Sequence, residues 1–179
     1  MKRSLGQMLV GNILATAAIR FPDRPAIYCS STDRRFSFRE TNDRANRLAQ
    51  ALLGAGLGKG DVVAFLSTNR AEIVEIYFAL SRTGMIGLPL NYRLAPTEML
   101  ELMRAMGASG LIYESKFAPI AEQAAKTLKH VIQFGGEKVG FAQDYETLLA
   151  AAPARAPDVE IDEADPYYFN LTSGTTGLP

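Results

Sequence analysis

Thr172-Ser173-Gly174-Thr175-Thr176-Gly177-Leu178-Pro179 sets four hydroxyl side chains and two glycines within eight residues. Glycines let the main chain turn through positive φ, so that successive N–H groups converge on an anion, and Ser and Thr hydroxyls add neutral donors. The apolar, aromatic run Tyr167-Tyr168-Phe169 ahead of them reads as a buried strand, and a phosphate cradle at that strand's end is the expected arrangement. A Ser/Thr/Gly-rich surface turn shares this composition, but turn chemistry alone does not dictate the order of residues. The nucleotide loop G-x-x-x-x-G-K-[ST] is excluded, since Gly174 and Gly177 are three apart and Leu178 follows.

Other residue types that do chemistry are sparse. His130 is the only histidine, and it leads into Val131-Ile132-Gln133-Phe134. It is expected at a helix end or strand start, with no catalytic role. Cys29 is the only cysteine, which rules out an internal disulfide and suits a reducing, cytoplasmic setting. Its apolar surroundings predict a small core residue. Met99, Leu102, Met103 and Met106 share a helical face and read as core filler; no metal-ligand set is expected. Gly54-Ala55-Gly56-Leu57-Gly58-Lys59-Gly60 fails the dinucleotide spacing, because Lys59 stands where glycine is required, and it follows a helix rather than a strand.

Lys and Arg together number 19, as do Asp and Glu, so neither nucleic acid nor an anionic membrane is an expected partner. No apolar run reaches the roughly 18 residues of a transmembrane helix. Residues 1–19 imitate a secretory signal, with Lys2-Arg3 ahead of an apolar stretch and Ala15-Thr16-Ala17 resembling a cleavage site. Gly11, Asn12 and Thr16 interrupt that stretch, and Leu5, Met8, Leu9 and Ile13 fall near helical spacing, which predicts a retained helix.

The elements that must position the loop alternate along the chain. Residues 26–29 and 35–38 predict a hairpin around Ser30-Ser31-Thr32-Asp33. Ser37 and Glu40 have capping-box spacing, and Ala45, Leu48, Ala49, Leu52 and Leu53 mark the inner face of the helix they start. A strand over 61–67 precedes a helix capped by Asn69, whose Ile73, Val74, Ile76, Tyr77, Phe78 and Leu80 nearly encircle it. Gly84 ends that helix and 85–90 form a strand. Pro96 opens the next helix and Gly107 stops it. Strands at 111–113 and 131–134 flank a helix carrying Phe117, Ile120, Ala121, Ala124 and Leu128. The pattern predicts an α/β fold, a largely parallel sheet with packed helices plus a short N-terminal hairpin. The divisions are a leading helix over 1–24, hairpin and α/β layers over 25–152, a Pro- and acid-rich linker-like surface over 153–166, and strand plus loop over 167–179.

The closing octapeptide resembles the phosphate loop of the AMP-forming adenylating enzymes, T-S-G-[ST]-T-G-x-P-K-G, at every residue from 172 to 179. Phe36-Ser37-Phe38-Arg39-Glu40 and the helix after it resemble that family's first core motif. Leu57-Gly58-Lys59-Gly60-Asp61-Val62-Val63-Ala64 resembles the phrase before its first long strand. Asn69, Glu72 and the phrase from Ala79 to Asn91 resemble the second core motif, and Asn91-Tyr92-Arg93-Leu94 is most like acyl-CoA synthetases.

The resemblance implies a two-step ligase that uses ATP, Mg2+ and coenzyme A. A carboxylate would attack the α-phosphorus of MgATP and release pyrophosphate; a thiol, usually coenzyme A, would then displace AMP. Thr172, Ser173, Gly174, Thr175, Thr176 and Gly177 are the implied holders of the ATP phosphates. Arg93 is either a contact to coenzyme A phosphates or an ordinary surface arginine. The family's remaining machinery follows the loop in sequence, so this chain is expected to be an N-terminal piece, inactive by itself, with uncovered apolar surface favouring self-association. A non-catalytic anion-binding or interaction domain working with another chain is the alternative.

Overall fold

Residue alternation in the strands decides which helices lie on which side of the sheet. The computed structural model describes residues 8–170. The predicted loop at 172–177 therefore lies outside the described residues. In chain order the elements are α1 (Val10–Arg20), β1 (Pro25–Cys29), β2 (Arg34–Ser37), α2 (Phe38–Gly54), β3 (Val62–Leu66), α3 (Ala71–Thr83) and β4 (Ile86–Pro89). They continue with α4 (Pro96–Ala105), β5 (Ala108–Glu114), a single 3-10 turn (Ser115–Phe117), α5 (Ala118–Ala124), β6 (His130–Phe134), β7 (Gln143–Asp144) and α6 (Tyr145–Ala151).

The strands β1 and β2 form an antiparallel hairpin, and the other five a parallel sheet in the order β4-β3-β5-β6-β7. The expected fold class is the observed one. On one side Val63 and Phe65 of β3, Ile112 of β5 and Phe134 of β6 pack against Leu48 and Leu52 of α2, Ile76 and Leu80 of α3, and Tyr145 of α6. On the other side Ala64, Leu66, Leu88, Leu111 and Tyr113 meet Met99, Leu102 and Met103 of α4 and Ala121 and Ala124 of α5. The methionines are core filler as expected. All five residues of β3 are buried, as befits a central strand covered on both faces.

Local signals explain most boundaries. The Ser37 hydroxyl accepts from the Glu40 amide at 3.2 Å while the Glu40 carboxylate accepts from the Ser37 amide at 2.8 Å, the reciprocal capping box that starts α2. Gly84 ends α3 at φ +68, a backbone conformation that favours glycine. A Cβ there would also stand 2.7 Å from Lys59 Cγ.

Several expectations need correction. The residue at the N-cap of α3 is Arg70, without a side-chain cap bond, where Asn69 was expected. The helix is not covered all round by its apolar residues: Ile73, Val74, Tyr77 and Phe78 are only half-buried, whereas Glu72, Glu75, Arg82 and Thr83 are buried. Paired charges, which periodicity counts as polar, have taken the inner positions.

In α1 the buried residues are Gly11 and Leu14, while Ile13 is 63% exposed. Contact is made through the residue with no side chain: a Cβ on Gly11 would lie 2.8 Å from Arg82 Cγ. Burial alone lowers the Arg82 guanidinium to about 10. It donates to the Gly11 carbonyl at 3.2 Å, to Asn42 Oδ1 at 2.8 Å and to Asn46 Oδ1, tying α1 to α2 through neutral acceptors.

Strand β5 is longer than 111–113, α5 is short enough to leave Leu128 in the turn beyond it, and β7 with α6 was not foreseen. The segment over 153–166 is pinned beside α2 and the loop after it. Asn46 Nδ2 donates to the Ala154 carbonyl at 2.8 Å and Lys59 pairs with Asp165 at 2.6 Å.

Candidate functional site at the carboxyl edge of the sheet

Because the five strands are parallel, every loop leaving a carboxyl end lies along one edge. The chain passes from β3 through α3 to β4, then crosses back through α4 to β5 on the other flank of β3. The order therefore reverses between β3 and β5. Open parallel sheets bind ligands in the crevice outside the carboxyl ends at such a reversal. Here that crevice lies between Ser67-Thr68 after β3 and Ser115-Lys116-Phe117 after β5, with Asn91-Tyr92-Arg93 after β4 beside it.

Glu114, the last residue of β5, fills the floor. Its Oε2 accepts from the Thr68 amide at 2.9 Å, the Thr68 hydroxyl at 2.8 Å and the Ser67 hydroxyl at 3.2 Å. Burial alone would raise this carboxyl, but the Thr68 donors, Lys116 and Ser67 outweigh burial and hold it below the usual range. Arg70 lies 3.6 Å from the other oxygen and Lys116 3.7 Å from Oε2. Three hydroxyl and amide donors on Oε2, with two cations beside the carboxylate, hold the floor in place.

The rim differs. Tyr92 is 45% exposed. Its ring centroid lies 6.3 Å from that of Phe117 at an interplanar angle of 32°. The Arg93 guanidinium is 5.7 Å from the Tyr92 centroid and the Lys116 ammonium 5.2 Å from that of Phe117. Asn91 Oδ1 accepts from the Arg93 amide at 3.0 Å and fixes the turn that presents this arginine. Arg93, named from sequence, is thus exposed on the rim and pairs with no carboxylate among the described residues. Phe117, expected on the following helix, ends the 3-10 turn before α5 instead. Sequence reading marks neither it nor Lys116 for a site, since only the β3/β5 pairing brings them beside residues 91–93.

The run ahead of the loop, expected as a buried strand, joins this edge by a single bridge. Tyr168 is 44% exposed and Tyr167 and Phe169 are half-buried, because the run lies at the open outer edge of β4. Tyr168 pairs in parallel with Gly87 of β4, with the Gly87 amide donating to the Tyr167 carbonyl at 3.0 Å and the Phe169 amide to the Gly87 carbonyl at 2.8 Å. Phe65 and Tyr77 meet edge-on at 5.0 Å, and Tyr77 meets Tyr168 at 6.0 Å. Phe169 packs toward the α4 side. Parallel pairing directs the chain toward the carboxyl end of β4, where Asn91, Tyr92 and Arg93 lie.

Behind the crevice is a second concentration of charge. Arg44 donates through Nε to Glu75 at 2.6 Å and through both terminal nitrogens to Glu146 at 2.8 and 2.7 Å. The Tyr145 hydroxyl donates to Glu75 at 2.7 Å, and Arg34 and Arg70 both reach Glu72. Burial would lower Arg44, yet its two glutamates hold it well above its ordinary value. Burial raises Glu75 despite Arg44 and Tyr145.

Two other reactive groups lie apart. The Cys29 thiol is buried beside Phe36 and Ala71, a core residue as expected, with the Ser31 and Thr32 hydroxyls lowering it to about 7. His130 opens β6, lowered by burial and by Lys129. A cavity of about 330 Å³ lies between Leu128, Val131, Phe141 and Ala142, at the amino ends of β6 and β7 and away from the crevice.

A model of the AMP-binding enzyme family matches residues 14–179. The chain belongs to the AMP-binding enzymes. It is 31% identical over 176 residues to the long-chain-fatty-acid–CoA ligase FadD13 of Mycobacterium tuberculosis, covering 95% of this chain and 33% of the relative. A fatty acid–[acyl-carrier-protein] ligase, ScoC of Streptomyces coeruleorubidus, is 33% identical over 158 residues, covering 88% of this chain and 29% of its own length. The inhibitor-bound N-terminal domain of FACL13 from Mycobacterium tuberculosis superposes with a TM-score of 0.78 at 30% identity, over 93% of this chain and 42% of that one. The anthranilate CoA ligase AuaEII with anthranoyl-AMP gives 0.82 at 25% identity, over 94% and 33%. This AMP-binding chain thus spans about a third of the length of its curated relatives. Among the described residues no helix is long and apolar enough to cross a membrane.

Proposed function

We propose that this chain supplies the phosphate-handling edge of an ATP-dependent carboxylate–thiol ligase and works together with the sequence that follows in its relatives. One observation carries the reading: residues 172–179 repeat the family's phosphate-loop order, and the segment leading to them is bridged in parallel to Gly87 of β4. In the first step a carboxylate oxygen bonds to the α-phosphorus of ATP as the bond to the β-phosphate oxygen breaks, and pyrophosphate leaves. The Ser173, Thr175 and Thr176 hydroxyls and the Gly174 and Gly177 amides then hold the leaving phosphates, a matter of positioning and charge stabilisation. In the second step the thiol sulfur of coenzyme A, its proton lost, bonds to the acyl carbon and AMP leaves. Arg93 contacts the coenzyme's phosphates.

Magnesium accompanies ATP in this reading. Among the described residues no group of three or more His, Cys, Asp or Glu side chains is placed to hold a metal ion, so no step is assigned to it through them. The donors offered here are neutral apart from Arg93 and Lys116, and charged partners strengthen a hydrogen bond to roughly 1.5–3 kcal/mol. By itself the chain is expected to bind MgATP weakly and to give no turnover.

The test is pyrophosphate exchange into ATP, driven by a panel of carboxylic acids, on the reading frame continued to the length of its relatives. Acid-dependent exchange that falls by about 10²-fold on Thr175→Val with Thr176→Val supports the reading. Exchange absent with every acid, alongside anion binding by the chain, favours a non-catalytic domain.

A further inference from the structure

The segment that feeds residues 172–177 crosses the fold before it reaches the carboxyl edge. Asn46 and Gln50 of α2 donate to the carbonyls of Ala154 and Arg155 at 2.8 and 3.2 Å. The chain then passes the amino ends of β3 and β4, where a Cβ on Gly84 would stand 3.0 Å from Ile161 Cδ1 and 2.7 Å from Lys59 Cγ. There Lys59 closes on it. The ammonium pairs with Asp165 at 2.6 Å and donates to the Glu160 carbonyl at 3.2 Å. The Gly60 amide donates to the Gly84 carbonyl at 2.8 Å and fixes the turn that carries the lysine. Asp165 is held too: its carboxylate accepts from the Asp162 amide at 2.6 Å and its own amide donates to the Asp162 carbonyl at 3.1 Å.

Past Pro166, two backbone bonds to Gly87 set Tyr167–Phe169 on the outer edge of β4. So short a ladder does little by itself to prevent a slip, and a slip of one residue sends every side chain of a strand to the opposite face. Resting on the ligase reading above, we infer that Lys59 is a positioning residue for the ATP step: through Asp165 it sets the register of Tyr167–Phe169 on β4, and so the point at which the chain enters residues 172–177. Lys59 touches no substrate, since it lies at the amino edge of the sheet, opposite the crevice. With 44% of its side chain exposed, its pair with Asp165 contributes little to stability, and a clasp that served only the fold would hardly be missed. A register device is different, because a displacement of about 1 Å in a substrate-holding group can cost about 10²-fold in rate.

Two substitutions separate these roles. Lys59→Met keeps the aliphatic stem on Gly84 and removes the charge, whereas Lys59→Arg keeps the charge. In the reading frame continued to the length of its relatives, Lys59→Met should raise the KM for ATP in pyrophosphate exchange by about tenfold. The KM for the carboxylic acid should stay within about twofold and the thermal midpoint within about 2 °C. Lys59→Arg should return the KM for ATP to within about threefold of the parent. Amide hydrogen exchange followed by NMR, with no ATP present, reads the register directly. In Lys59→Met the Gly87 and Phe169 amides should exchange about tenfold faster than in the parent, while Val63 and Ile112 in the central strands stay protected. An unchanged KM for ATP, KM values for ATP and acid that rise together, or unaltered exchange at Gly87 and Phe169 overturns the inference. A parent protein in which no acid drives pyrophosphate exchange sinks the ligase reading, a failure distinct from that of the clasp, which is read in the amides.

Discussion

Two concentrations of charge lie on either side of Arg70, and they do opposite work with the same residue types. In the inner one, Arg44 is saturated by Glu75 and Glu146, Tyr145 adds its hydroxyl, and Glu75 has no exposed side-chain surface. On the rim, Arg93 and Lys116 lie against aromatic rings and face water. Partner count and burial, more than residue identity, separate the group that holds the fold from the group available to a ligand. Arg70 joins the two, reaching Glu72 on one side and Glu114 on the other.

The largest effect should come from breaking the inner network at its most buried point. Glu75→Ala strands the Tyr145 hydroxyl and part of the Arg44 guanidinium, and is expected to cost about 3–5 kcal/mol in urea unfolding. Nucleotide affinity of the folded fraction should stay within about twofold. Tyr145→Phe removes one buried hydrogen bond and should cost about 1–3 kcal/mol by the same measurement.

Glu114→Gln is a smaller perturbation, and pH reveals it. The folded-state carboxyl of Glu114 is depressed, so its contribution is present above the unfolded value of roughly 4.3 and fades as pH falls through the lower folded value. The variant should be about 1 kcal/mol less stable at neutral pH, with a flatter loss of stability on acidification below about pH 5. Glu75 runs the other way, because its raised folded value favours the fold at low pH and that contribution is lost as pH rises through it. The smallest stability effects belong to the rim: Lys116→Gln and Arg93→Gln should stay within about 0.5 kcal/mol of the parent. A rim variant that unfolds the protein, or an inner variant that spares stability while abolishing binding, breaks the comparison.

The fold was largely legible because apolar periodicity and turn residues carry it. The Ser37–Glu40 box, Gly84 and Pro96 each state a boundary in one or two residues. The inner network was not legible: Glu72 and Glu75 count as polar in a periodicity reading, and their partners come from residues as distant in sequence as Arg34 and Tyr145. Of the candidate site, the loop order and Arg93 were readable as motifs. Lys116 and Phe117 were not, because only the crossing from β4 to β5 sets them next to Tyr92. The β7 and α6 elements were missed because Gln143–Asp144 is too short to show alternation.

The most direct measurement is an amide NMR map of the labelled chain titrated with coenzyme A and, separately, inorganic pyrophosphate. The expected result is that coenzyme A shifts Tyr92 and Arg93, that pyrophosphate shifts residues 172–177, and that Glu75, Tyr145 and Glu146 stay still under both. Shifts centred on the inner network, or on the cavity at the amino ends of β6 and β7, with the carboxyl edge unmoved, would contradict the account.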